Sequence, residues 1–225
     1  MMKITLISDT HTKHRKLDLP GGDLLIHSGD IMNSGHNERD VVDFCDWFEG
    51  QEYRMKVFIA GNHDRIFEDS PNQSLEIVQS YGICYLQDSR CSFEGLKIYG
   101  SPWQPAFNRW AFNLERSSLE LEEKWNLIPE DTDILVTHGP PAGVLDRTRR
   151  SIENLGCELL RKRVLEVGPK IHIFGHIHEG FGHRTLENNH SKNTHFFNAS
   201  VLDEYYYLCN KPVSFTWDRD SNQIT

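Results

Sequence analysis

Val57-Phe58-Ile59-Ala60-Gly61-Asn62-His63-Asp64 is the stretch on which the reading of this chain turns. Four apolar residues have the length and composition of a buried strand, and the glycine that follows lets the backbone turn sharply. The turn presents an amide oxygen, an imidazole and a carboxylate at three consecutive positions. Asn62 offers a metal-ligating oxygen, His63 is expected to face substrate, and Asp64 to fix the His63 tautomer and raise its basicity.

Working outward, four more apolar runs stop in the same way. Residues 4–7 precede Ser8-Asp9-Thr10-His11, and residues 24–26 precede His27-Ser28-Gly29-Asp30. Residues 134–136 precede Thr137-His138-Gly139, and residues 171–174 precede Gly175-His176-Ile177-His178. Groups placed after strand ends converge on one edge of a sheet. Each of these four alone is weak, because Gly-Asp is most often a turn and a lone His beside a strand is most often a satisfied core residue, whereas Gly61-Asn62-His63-Asp64 is far more specific. Together the five supply ligands for two divalent metals.

At 225 residues the chain fits one domain, expected over 1–225. Hydrophobic content of 38% with 25% charged residues is ordinary for a compact globular protein. The net charge of −9 argues against gripping nucleic-acid backbone as the main task. A small anionic substrate remains compatible if bound cations reverse the sign locally. Cys45, Cys84, Cys91, Cys157 and Cys209 are odd in number and form no Cys-x-x-Cys pair, which reads as reduced, mostly buried thiols. Met1-Met2-Lys3 leads straight into the first strand, and no apolar stretch approaches the roughly 20 residues of a membrane span. The expected location is the cytoplasm, with no membrane partner; a homodimer is compatible with the composition.

Helices are expected over residues 39–49, 74–81, 117–126 and 157–167, the third opened by a capping box of Ser117 and Glu120. Short strands are expected at 84–86, 91–93, 96–99, 194–197 and 213–217, followed by a polar tail. The segment from Ser101 to Asn113 is too aromatic for a solvated loop and too Pro-broken for a helix, so it packs on something or walls the site. As a wall it would bring Asn108 and Arg109 to substrate, and His183, after Gly180-Phe181-Gly182, is a third candidate contact. His27 and His172 read as structural, and Arg147, Arg149 and Arg150 as a solvated loop.

The five motifs stand in the order seen in the calcineurin-like metallophosphoesterases, which this chain resembles over nearly its whole length. The likeness extends to the metallophosphoesterase-domain-containing (MPPED) subfamily. It is carried by Tyr99-Gly-Ser-Pro-Trp-Gln-Pro, Trp110-Ala-Phe-Asn, Glu123-Lys-Trp-Asn-Leu-Ile-Pro, Thr137-His-Gly-Pro-Pro and Phe174-Gly-His-Ile-His-Glu-Gly. The resemblance implies an α/β metallophosphoesterase fold: two mixed β-sheets in a sandwich flanked by α-helices, with a two-metal centre at one end. It also implies Asp9, His11, Asp30 and His178 as ligands of one metal, and Asp30, Asn62, His138 and His176 of the other.

Mixed oxygen and nitrogen ligands suit Mn, Fe or Zn better than Ca²⁺ or a dedicated Mg²⁺ site. Two cations on the order of 3.5–4 Å apart, bridged by Asp30 and a water, would generate a hydroxide for in-line attack on phosphorus. The expected activity is phosphodiester hydrolysis, His63 and Asp64 being the other catalytic candidates and cyclic nucleotides the substrate class that the subfamily suggests. The alternatives are a nuclease or phosphomonoesterase of the same mechanism, or a nonenzymatic nucleotide-binding scaffold that keeps the metals.

Overall fold

A computed structural model describes residues 1–149, 153–218 and 223–224. One sheet contains β1 (Met2–Ile7), β2 (Gly22–His27), β3 (Tyr53–Phe58), β4 (Cys84–Tyr85), β13 (Val213–Asp218) and β14 (Gln223–Ile224) in the order β14-β13-β1-β2-β3-β4. The second contains β5 (Ser89–Phe93), β6 (Leu96–Ser101), β9 (Ile134–Thr137), β10 (Ile171–Phe174), β11 (Gly182–Glu187) and β12 (Asn193–Asn198) in the order β11-β12-β10-β9-β6-β5. In both sheets the central strands run parallel; antiparallel pairing adds β13 and β14 on one side of the first, whose other edge β4 is parallel, and β11 and β5 at the two edges of the second, so the α/β fold has two mixed sheets.

The central strands are buried on both faces, which explains why their sequences are continuous apolar runs. In β2, Leu24 and Ile26 face the opposite sheet, where Ile134, Val136, Ile171 and Ile173 meet them. Leu25 points the other way, into a cluster with Phe44 and Phe48 of α1 (Glu38–Glu49). On the far side, Leu135 and Phe174 pack under α4 (Leu119–Asn126) and α5 (Glu158–Val167). Because β1, β2, β3, β9 and β10 all run parallel to their central neighbours, the polar clusters after them gather at one end of the sandwich.

Several elements depart from expectation. α3 spans Pro71–Ser80, starting earlier because Pro71 sits in the first turn, where its missing N–H costs nothing. α4 is capped by Ser118, whose hydroxyl accepts from the Leu121 amide; Ser117 is left-handed at φ 66°, so the Ser117–Glu120 box does not form. The one-turn α2 (Ile66–Asp69) and the edge strand β11 were not anticipated, since β11 is mostly exposed and lacks an apolar run. The short strands β7 (Gln104–Pro105) and β8 (Asn113–Leu114) bracket the aromatic segment, and β14 falls in the expected tail. The five thiols are free, but only Cys45 and Cys157 are buried, against the expectation of mostly buried cysteines. Among the described residues no helix is long and apolar enough to cross a membrane. Arg150 lies outside the described residues; Arg149 is exposed and pairs with Glu204.

His27 and His172 are structural, as expected. Each is fully buried and hydrogen-bonds through Nε2 to a threonine hydroxyl, Thr10 and Thr137 respectively, at 2.9 Å. Burial pushes the His172 imidazole down to about 3. Its folded value thus lies below its unfolded value of about 6.5, and between the two the unfolded chain binds the extra proton. Stability is therefore expected to fall as pH drops from about 6.5 toward 3, this one residue contributing about 1 kcal/mol per pH unit. Urea midpoints measured between pH 7 and 4.5 should show a steeper decline in the parent than in His172→Gln. Equal slopes would place the acid sensitivity elsewhere.

Candidate metal centre

Two buried carboxylates form the middle of the gathered cluster. Asp9 follows β1 with left-handed φ of 53°, and Asp30 follows β2 at 60°. Such backbone is uncommon for a residue with a side chain and is concentrated where geometry serves function. Asp9 accepts the His176 amide at 3.1 Å and the Ser200 hydroxyl at 2.8 Å. Asp30 accepts the His63 amide through Oδ1 at 2.8 Å, while its Oδ2 stands 3.4 Å from His138 Nε2 and 3.6 Å from His11 Nε2.

Three imidazoles are oriented in one way. The Nδ1 atoms of His11, His138 and His178 contact the carbonyls of Met32, Ser28 and Asp203 at 2.8, 3.0 and 2.8 Å. A carbonyl accepts only, so each Nδ1 carries the proton and each Nε2 turns toward the carboxylates; backbone-anchored histidines of this kind are the usual form of metal ligands. The buried His11 Nε2 has no hydrogen-bond partner among the described residues. Asn62 Oδ1 lies 2.8 Å from both His138 Nε2 and His176 Nδ1, so an amide oxygen and two ring nitrogens converge. Ligand atoms of Asp9, His11 and His178, of His11, Asp30 and His63, and of Asp9, Asp30 and His138 each lie within 4.8 Å of one another.

The electrostatics ask for positive charge. Burial works to raise the Asp9 and Asp30 carboxyls, yet the facing histidines outweigh it and hold both below the usual range. Burial likewise works to lower His138 and His178, but Asp30 and Asp9 respectively lead the opposing effects that lift each to about 9. His11 and His176, which burial dominates, fall to about 4 and about 3. Among the described residues, the ion-pair partners of Asp9 and Asp30 are all imidazoles. Dry carboxylates facing imidazole nitrogens and an amide oxygen are consistent with a metal site.

Two glycines are required for this approach. A Cβ on Gly61 would stand 2.3 Å from Asp30 Oδ1, and one on Gly175 would stand 2.0 Å from Asp9 Oδ2. Backbone without a side chain is what lets these loops close on the carboxylates.

His63 sits beside the cluster with its ring stacked on Trp110, centroids 4.1 Å apart, and edge-on to His11 at 4.6 Å. Its Nδ1 meets the Asn33 carbonyl, which assigns the proton to Nδ1 and leaves Nε2 on the opposite side of the ring. Asp64 does not perform the expected service for His63. Its carboxylate instead accepts the amides of Gly61, Asp30, Ile31 and Met32 at 2.7, 2.9, 3.2 and 2.9 Å, tying the turn after β2 to the turn after β3. Burial, together with the charge of Asp30, pushes Asp64 up to about 7 while these amides pull the other way. The local spacing Asn62-His63-Asp64 suggested a pair, but the three side chains leave a turn in different directions.

The calcineurin-like phosphoesterase profile matches residues 2–180. The chain belongs to that family. It is 40% identical over 94% of its length to metallophosphoesterase domain-containing protein 1 of Homo sapiens, covering 69% of that protein, and the Mus musculus counterpart matches equally. Among solved structures, TT1561 of Thermus thermophilus superposes with a TM-score of 0.64 at 12% identity, covering 100% of this chain and 97% of the other. That likeness establishes the shared fold.

Beside the centre of this metallophosphoesterase, a cavity of about 380 Å³ opens between His176, His178, Phe107 and Tyr206. The aromatic segment therefore does wall the site: Gln104, Pro105, Ala106 and Phe107 line the cavity, and Trp110 stacks on His63. Asn108 and Arg109 are exposed and are not among the cavity's lining residues; the Arg109 carbonyl accepts from Arg65 at 2.5 Å. His183 lies apart on β11, stacked on Phe197 at 4.3 Å and 3.2 Å from His195 Nδ1. Asn33, Asp203 and Tyr206 were not singled out in the sequence, and Trp110 was quoted there only for the family resemblance. Trp110 carried a signal in the aromatic run after Ser101 and Tyr206 in the run Tyr205-Tyr206-Tyr207, whereas Asn33 and Asp203 carried none.

Proposed function

We propose that this chain hydrolyses small phosphodiesters, cyclic nucleotides being the leading class. It would do so with two cations held by Asp9, His11, Asp30 and His178 on one side and Asp30, Asn62, His138 and His176 on the other. The observation that carries this reading is the common orientation of His11, His138 and His178. Each donates a hydrogen bond from Nδ1–H to a backbone carbonyl and presents Nε2 to a dry pair of carboxylates. Cations bound in such a centre supply Lewis acidity at a phosphoryl oxygen and an activated water at neutral pH. The protein contributes position: Asp64 fixes the Asp30 turn, Gly61 and Gly175 allow the loops to close, and the cavity offers partly apolar walls to the organic part of the ester. His63, held between Trp110 and the Asn33 carbonyl, is placed to stabilise charge on the leaving oxygen through Nε2.

The test uses metal-reconstituted protein with bis-p-nitrophenyl phosphate, cyclic nucleotides, p-nitrophenyl phosphate and single-stranded DNA. Turnover of the diesters is expected, reduced on the order of 10²–10³-fold in His63→Ala with metal content retained. Faster cleavage of the monoester or of DNA would transfer the chain to those substrate classes. Nucleotide binding with no turnover of any ester would make it a scaffold.

A further inference from the structure

Tyr206 occupies a position that its backbone does not favour. Its φ is 64°, a left-handed value that glycine adopts freely and a bulky ring does not. The loop holds it there: the Asp203 carbonyl accepts the Tyr206 amide at 2.9 Å, and the Asp203 carboxylate accepts the amides of Tyr205 and Tyr207 at 2.9 and 2.8 Å. The same Asp203 carbonyl orients His178, and Lys13 reaches the Tyr206 carbonyl. One residue therefore sets both a candidate metal ligand and the tyrosine beside it.

The ring is not there to fill the core. It remains 39% exposed while its centroid lies 4.8 Å from His11 and 5.3 Å from His178. Phe107 stands near His176, ring centroids 6.3 Å apart, and is 55% exposed. Both rings line the same cavity, whose remaining wall includes Pro105, Pro140, Leu155 and Ile177. Two aromatic side chains left partly open to solvent in one cavity, with apolar wall residues and a charged centre beside them, match a ligand that is anionic at one end and flat and apolar at the other.

We propose that Tyr206 is a specificity-determining residue that, with Phe107, clamps a flat aromatic group of the phosphoester, such as an aryl ring or a nucleobase. The substrate class is thereby narrowed to esters bearing such a group. This deepens the phosphoesterase reading above and rests on it for the identity of the anionic end.

Two substrates with one leaving group test it. The ratio of kcat/KM for bis-p-nitrophenyl phosphate to that for methyl p-nitrophenyl phosphate should fall about tenfold in Tyr206→Gly, the scale of one aromatic stacking contact. Tyr206→Phe should keep the ratio. The Gly variant, relieved of the left-handed tyrosine, should melt no lower than the parent. A ratio unchanged in Tyr206→Gly, or a lower melting temperature with the ratio intact, would reduce Tyr206 to packing and overturn the proposal. A parallel calorimetric comparison of p-nitrophenyl phosphate with inorganic phosphate needs no turnover. The aryl ester's advantage should likewise shrink about tenfold in Tyr206→Gly, and an undiminished advantage overturns the clamp. Protein that cleaves no ester sinks the hydrolytic reading, while this binding difference still decides the clamp.

Discussion

Asp30→Asn is expected to lower kcat/KM for a phosphodiester by on the order of 10³-fold and to leave the metal-free protein no more stable than the parent. The Asp30 Oδ2 atom stands within 3.4 Å of His138 Nε2 and 3.6 Å of His11 Nε2, so one oxygen reaches imidazoles of both proposed ligand sets. Replacing it with a neutral amide removes the shared charge. Several kcal/mol of transition-state stabilisation from the metals, at about 1.4 kcal/mol per tenfold, gives the stated loss. Stability of the metal-free protein should not rise. Against the effect of burial, the histidines facing Asp30 hold its carboxyl below the usual range, so its charge stabilises the fold at neutral pH, and a neutral amide loses that attraction. The asparagine oxygen can still accept the His63 amide that Asp30 Oδ1 accepts at 2.8 Å, and removing the charge eases the burial of the neighbouring Asp64, so the loss is partial. Elemental analysis should show two metals per parent chain and one or fewer per variant. Full metal content with turnover within tenfold of the parent would sink the shared-ligand role. The contrast with His63→Ala, which should keep its metals, separates holding the cations from acting on the ester.

The parts of this arrangement that were readable in the chain are those that depend on consecutive residues. Residues 4–7, 24–26, 57–60, 134–136 and 171–174 stand out because central parallel strands are buried on both faces and cannot alternate with polar residues. Their sequels, from Asp9 to His178, stand out because a strand end must place its polar groups at the sheet edge. What depends on distant partners was not readable. Asp64 follows His63 in sequence, yet its oxygens serve amides 32 to 34 residues away on the turn after β2 as well as the nearby Gly61. His63 is steadied instead by Asn33 and Trp110, and Tyr206 arrives from a loop late in the chain. Strand β11 escaped because an exposed edge strand has no core pattern to display. Ser117 and Ser118 show the limit of local motifs: both could cap α4, and the left-handed turn at Ser117 gives the task to Ser118.

Gly175→Ala and Gly61→Ala carry the other large expected effect, a loss of at least about 10²-fold in kcat/KM from a single methyl group. In Gly175→Ala the new Cβ would fall 2.0 Å from Asp9 Oδ2 and 2.2 Å from Ser8 Oγ. In Gly61→Ala it would fall 2.3 Å from Asp30 Oδ1 and 2.7 Å from His138 Cε1. Both are far inside any tolerable contact, so the carboxylate, the loop or both must shift by the order of an ångström. A displacement of that size near reacting groups costs about 10²-fold even when every group is retained. The strands behind the loops keep their cores, because the methyls project toward the carboxylates and not between the sheets. Circular dichroism should thus match the parent while metal occupancy and turnover fall. Gly50→Ala is the control, since its Cβ would meet only the Asp46 and Trp47 carbonyls at 3.4 and 3.6 Å, at the end of α1. If Gly175→Ala hydrolyses diesters as fast as the parent, Asp9 does not need the position it holds here, and its role as a ligand falls with it.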